Sequence, residues 1–288
     1  MKFKIVSDSS ANIFSFPGVD HASVPLKINT AMAEYVDDEN LDVAKMVKEI
    51  QETKGKSGTS CPNVHDWLQA FEGADFVFAI TITSNLSGSY ASACQAKDIY
   101  EENHPGAKVF VVDSLSTGPE MRLIMERIRE WIAQKLPFEQ IREKIKEYQK
   151  RTHLLFSLES LTNLARNGRV NPAVAKIAGV LGIRVVGCAS EVGTLQQLHK
   201  CRGEKKALET IFQEMKDRGF VGGRTRIAHC FNAEAAAKLK EAILEAFPKC
   251  DIFIEPTTAL CSFYAEAGGL MIGFEGGFNE NNHTHLHG

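Results

Sequence analysis

Four short runs in the first part of the chain gather apolar side chains consecutively or in alternation: KFKIVSD (2–8), SVPLKIN (23–29), DFVFAITIT (75–83) and KVFVVDS (108–114). Runs of that length, rich in Val, Ile and Phe, predict strands. Between them the period changes. LDVAKMVKEIQET (41–53) places Leu41, Val43, Met46, Val47 and Ile50 on one face, and MRLIMERIREWIAQK (121–135) does the same with Leu123, Ile124, Ile128 and Ile132, the spacing of amphipathic helices. FEQIREKIKEYQKRTH (138–153) reads as a charged, solvated helix that closes this region. The rhythm then restarts, with LLFSLES, IRVVGCAS, RTRIAHCF and DIFIEP as strands and GEKKALETIFQEMK and AEAAAKLKEAILEAF as helices. Strands alternating with helices predict an α/β fold. The restart predicts two domains: 1–151, with a mostly parallel sheet flanked by helices, and 152–288, with a mixed sheet.

The predicted strand ends are rich in hydroxyls. SDSS (7–10) follows the first strand, SNLSGSY (84–90) the third and SLSTG (114–118) the fourth, while KSGTSCPN (56–63) precedes a helix expected to start at Pro62. Loops that follow successive parallel strands converge on one edge of the sheet, so these turns predict a hydroxyl-lined crevice. Taken singly, each reads equally well as a capped helix start without a ligand. Hydroxyls donate to a carboxylate and also accept from a protonated acid, which suits an acid head group. No G-x-x-x-x-G-K-[ST], G-x-G-x-x-G, H-E-x-x-H or G-x-S-x-G occurs in the chain.

Composition narrows the class. With 288 residues, 44% hydrophobic and 24% charged, the chain has the make-up of an ordinary soluble protein, and no apolar run approaches the length of a membrane span. The opening MKFKIVSDSS lacks the apolar stretch of a signal peptide, and a cytoplasmic location is expected. The seven cysteines are scattered without a C-x-x-C pair, which predicts reduced packing residues and no zinc site. His283, His285 and His287 alternate in a polar tail without a scaffold for a metal. Charge is uneven: from Arg166 to Lys206 there are eight basic residues against two acidic ones, in a chain whose net charge is −3. That stretch is either a solvated face or a docking surface for an acidic or nucleotide-bearing partner, with Arg169, Arg184, Arg202 and Lys205 as candidates. A pI near 6.3 argues against nucleic acid.

The order SDSS, GTSCPN, SNLSGSYASA, VVDSLSTG, SLESLTNLARNGRV and HKCRGEKKAL resembles the DegV family of bacterial fatty-acid-binding proteins over essentially the whole chain. The resemblance implies a long-chain fatty acid such as palmitate, stearate or oleate in a tunnel between the domains. It implies that Thr59 of the T-S-x-P motif and Ser87 of the S-G-[ST] motif hold the carboxyl, with Gly88 allowing close approach and Ser60 and Ser114 as further candidates. Some relatives are the acyl-carrying subunit of a fatty acid kinase, so an ATP-binding kinase subunit is an implied partner. The protein itself is expected to be a non-catalytic carrier without a cofactor. Where the family usually carries a histidine and a Gly-Pro-Gly-like turn, this chain reads FYAEAGGLMIGF, with Tyr264 in the histidine's place and Glu266 and Ala267 in the turn. The competing expectation is an enzyme acting on a small acid or phosphate ester in the Ser-rich crevice.

Overall fold

A computed structural model describes residues 2–52, 55–173 and 182–277. Lys176 and the three tail histidines lie outside them. In chain order the elements of the first half are β1 (Phe3–Asp8), β2 (Asp20–Val24), β3 (Lys27–Thr30), β4 (Glu34–Val36), α1 (Val43–Glu52), β5 (Ser57–Ser60), α2 (Val64–Phe71), β6 (Phe76–Thr81), α3 (Ser89–Asn103), β7 (Lys108–Asp113), α4 (Pro119–Ala133) and α5 (Phe138–Gln149). The second half adds β8 (Thr152–Leu158), α6 (Thr162–Arg166), β9 (Ile183–Ala189), β10 (Leu195–Arg202), α7 (Glu204–Asp217), β11 (Thr225–His229), α8 (Ala233–Ala246), β12 (Ile252–Pro256), α9 (Ala259–Ala265) and β13 (Leu270–Glu275).

Strands β2-β1-β6-β7 form an all-parallel sheet, as the alternation predicts. Both faces are covered, which is why its strands are apolar almost throughout. Ile5, Phe78, Ile80 and Val112 pack against α4 and α5, while Val6, Val77, Ala79 and Val111 pack against α2 and α3. SVPLKIN does not form a single strand. Pro25 has no N–H for a ladder, and the chain leaves the parallel sheet at Val24 to start a separate antiparallel sheet, β4-β3-β5. Helix α2 starts two residues later than the sequence suggests, because Asn63 caps it: its side chain accepts from Asp66 N, and the Asp66 carboxylate accepts from Asn63 N.

The second sheet, β10-β9-β8-β13-β11-β12, is mixed, with a parallel pair only at β11 and β12. Its β13 lies between β8 and β11 and has no counterpart among the sequence-predicted strands. Two helices join the halves. Helix α4 turns its buried Met121, Ile124, Met125 and Ile128 to the parallel sheet and its charged face to the mixed one. Gly273 of β13 lets it come close, since a Cβ there would lie 2.6 Å from Glu120 N. In the other direction, Ala259 and Phe263 of α9 pack with Ile28 and Met46 beside the small sheet.

Candidate ligand-binding site

Most of the hydroxyls that suggest a crevice are used up in holding the loops. Asp8, fully buried at the end of β1, accepts from Ile82 N at 2.9 Å and from Ser89 Oγ at 2.6 Å, which ties the ends of β1 and β6 to the start of α3. Burial raises its carboxyl above the ordinary value, against the pull of the Ser10 and Ser89 donors. Ser9 Oγ accepts from Leu26 N at 3.0 Å. Ser114, 3% exposed, closes its own turn by donating to Ser116 O and accepting from Ser116 N, and it does not face the cavity described below. Ser60 is exposed at the end of β5, where Asn29 Nδ2 donates to it, so it too stands apart from the cavity. Gly88 is the N-cap of α3, and a Cβ there would lie 3.0 Å from Cys61 Sγ. Its close approach is to a neighbouring loop.

What remains is a cavity between the two sheets, with an empty volume of about 670 Å³ counting its open mouth. One wall is β8, whose alternate residues Leu154, Phe156 and Leu158 point to the same face, extended by Met271, the register partner of Phe156 on β13. Leu26, Ile82 and Leu86 come from the first half, and Leu164, Leu260 and Ala265 from α6 and α9. Polar groups gather at one end. Thr59 Oγ1 lies 2.7 Å from Tyr264 OH, across the boundary between the halves. Ser87 Oγ accepts from Ser89 N at 3.2 Å, and among the described residues nothing accepts its own hydrogen. The Arg169 guanidinium also lines the cavity. Its Nε donates to Leu86 O at 3.1 Å and Nη1 to Asn167 O, and no carboxylate pairs with it among the described residues.

Thr59, Ser87 and Tyr264 therefore line one cavity, and Ser60, Gly88 and Ser114 are outside its lining. The structure also divides the basic stretch. Arg184 is only 8% exposed, held by Glu159, Glu204 and Gly268 O, and burial removes it from any docking face. Arg169 belongs to the cavity wall. Arg202 and Lys205 are exposed, at the end of β10 and the start of α7. Of the three hydroxyls that SLSTG offers, Ser114, Ser116 and Thr117, it is Thr117 that lines the cavity.

Residues 2–275 match the model of the DegV family, described as uncharacterised proteins. The chain belongs to the DegV family. A DegV domain-containing protein of Streptococcus pneumoniae is 44% identical over 279 residues, spanning 96% of this chain and 99% of its own. Among solved structures, a DegV family protein from Eubacterium eligens, loaded with heptadecanoic acid, is 42% identical with a TM-score of 0.94, over 96% of this chain and 100% of that one. The fatty acid kinase (Fak) B3 protein of Streptococcus pneumoniae, loaded with linoleic acid, is 44% identical with the same TM-score and the same coverage. The parallel first sheet and mixed second sheet expected from the sequence are thus those of a DegV fold. Among the described residues no helix is long and apolar enough to cross a membrane.

Proposed function

We propose that the protein binds one long-chain fatty acid, with the alkyl chain in the cavity and the carboxylate at Thr59, Ser87 and Tyr264, and that it presents this acid to an ATP-binding kinase subunit. The observation that carries the reading is the division of the cavity: walls of Leu, Ile, Phe and Met, and three hydroxyls with an unpaired Arg169 at one end. The apolar walls supply affinity, about 0.8 kcal/mol for each buried CH₂. The polar end then has only to orient the head group, and Arg169 supplies the counter-charge that a buried carboxylate needs. The two DegV relatives loaded with fatty acids support the ligand class, and the kinase B3 relative supports the presentation step.

Two α/β domains dividing near residue 151 place this ligand at their boundary. A docking surface at Arg202 and Lys205 offers positive charge to the partner, and a cytoplasmic setting agrees with seven unpaired thiols. The test is native mass spectrometry of the purified protein, followed by solvent extraction of whatever it holds. A stoichiometric mass increment matching a C16 or C18 acid is expected. A bare protein that also refuses added palmitate and oleate would sink the reading.

A further inference from the structure

Thr117 is a hydroxyl set in an apolar wall. Among the described residues its Oγ1 meets a single partner, Cys261 Sγ at 3.8 Å, and sulfur is a weak acceptor. That thiol is itself aimed elsewhere, at Ser10 O, 3.4 Å away. The position is not the head-group end. Gly118, next to Thr117, packs on Met271, which is opposite Phe156 in register, so Thr117 stands at the Phe156–Met271 level of the wall. The Tyr264 hydroxyl lies instead against Thr59 of β5, and the turn that follows α9 brings Gly268 against Glu159, beyond Leu158 at the far end of β8. An acyl chain filling the cavity therefore passes Thr117 with its hydrocarbon portion.

We propose that Thr117 makes the cavity selective for unsaturated over saturated acyl chains, an inference that rests on the fatty-acid reading above. A saturated chain strips water from the hydroxyl and returns no acceptor, which leaves it dependent on the distant sulfur. A chain with a double bond at that level presents π density to the O–H, and the donor is partly satisfied. The soft side chains of Met271 and Cys261 complete a polarisable collar at the same level. Contacts of this kind are weak, so the selectivity is a matter of several-fold.

The test is competition between stearate and oleate for the full-length protein, with the bound ratio read by native mass spectrometry in wild type, Thr117→Val and Thr117→Ser. Comparing proteins at fixed acid concentrations cancels the different solubilities of the two acids. Thr117→Val keeps the shape and removes the donor, and the oleate-to-stearate ratio is expected to fall by about 2- to 5-fold, the scale of one weak hydrogen bond. Thr117→Ser keeps the donor and should hold the wild-type ratio, which also guards against a packing effect of the valine. The same ratio in all three proteins would overturn the proposal while leaving fatty-acid binding intact. Uptake of neither acid by the wild type would overturn the parent reading instead.

Discussion

Thr59 and Tyr264 are 205 residues apart in sequence and share a 2.7 Å hydrogen bond at the polar end of the cavity. Either hydroxyl can donate, so the pair holds one proton between them and has the other to offer a ligand oxygen. Each is then expected to matter through the other. Thr59→Ala and Tyr264→Phe should each weaken oleate binding by roughly tenfold, the scale of a hydrogen bond to a charged group. The double variant should lose clearly less than the product of the two, as neighbours in one network do. Calorimetric titration of the four proteins measures this, and strictly multiplicative losses would show that the two groups act separately. Thr59 and Ser87 were legible in the sequence because short motifs carry them. Which hydroxyls face a lumen was not, because Ser9, Ser10 and Ser114 have the same side chain as Ser87 and differ only in what the folded loops put beside them.

Helix α9, which carries Tyr264, depends on an acid from elsewhere in the chain. Thr258 makes no side-chain cap, and the buried Asp37 instead accepts from Ala259 N at 2.8 Å and Leu260 N at 3.1 Å. Burial outweighs these bonds and raises the Asp37 carboxyl from 3.8 to about 6. The folded protein thus binds this proton more tightly than the unfolded chain does, and the group's contribution to stability falls as pH rises from about 4 to 6. Asp37→Asn abolishes that dependence, so its stability relative to wild type should rise by about 3 kcal/mol across the window, two pKa units at about 1.4 kcal/mol each. Urea unfolding of both proteins at several pH values reads the difference, and a pH-independent gap would exclude Asp37 as its source. Borrowed caps of this kind leave no local signal, which is why α9 escaped the sequence reading. Strand β13 escaped because LMIGFE is short and broken by Gly273, and β5 because SGTS is polar throughout. By contrast, β1, β6, β7 and the long helices were legible because burial on a defined face writes a period into the sequence.

Helix α4 is a layer that both halves of the molecule share. On its charged face, Glu126 accepts from Arg226 Nε at 3.0 Å and Nη2 at 2.7 Å, Arg122 Nε donates to Glu255 at 2.9 Å, Arg127 pairs with Glu275 and Glu130 with Arg224. Glu126 and Arg226 have side chains only 8% and 7% exposed and lie at the centre of a buried network, in which Arg226 also donates to Asp251 at 2.9 Å and Glu126 also faces Arg122 and Arg224. Removing Glu126 takes one buried carboxylate from three arginines at once, with Asp251 left as the acidic partner of Arg226, and Glu126→Ala is expected to destabilise the protein by about 3–5 kcal/mol. Replacing both partners by apolar residues, Glu126→Leu with Arg226→Met, should cost less, because the buried Arg226 charge leaves with its partner while Arg122 keeps Glu255 and Arg224 keeps Glu130. The same architecture predicts how the loss is shared. Both tryptophans, Trp67 and Trp131, lie in the first half, so fluorescence follows that half while far-ultraviolet dichroism follows all the helices and strands. If α4 couples the sheets, the two signals should coincide through urea unfolding in wild type and in Glu126→Ala, with the variant's transition moved to lower urea. Fluorescence and dichroism parting into two steps in the wild type would mean that the halves fold independently and that the cavity between them can open without unfolding either one.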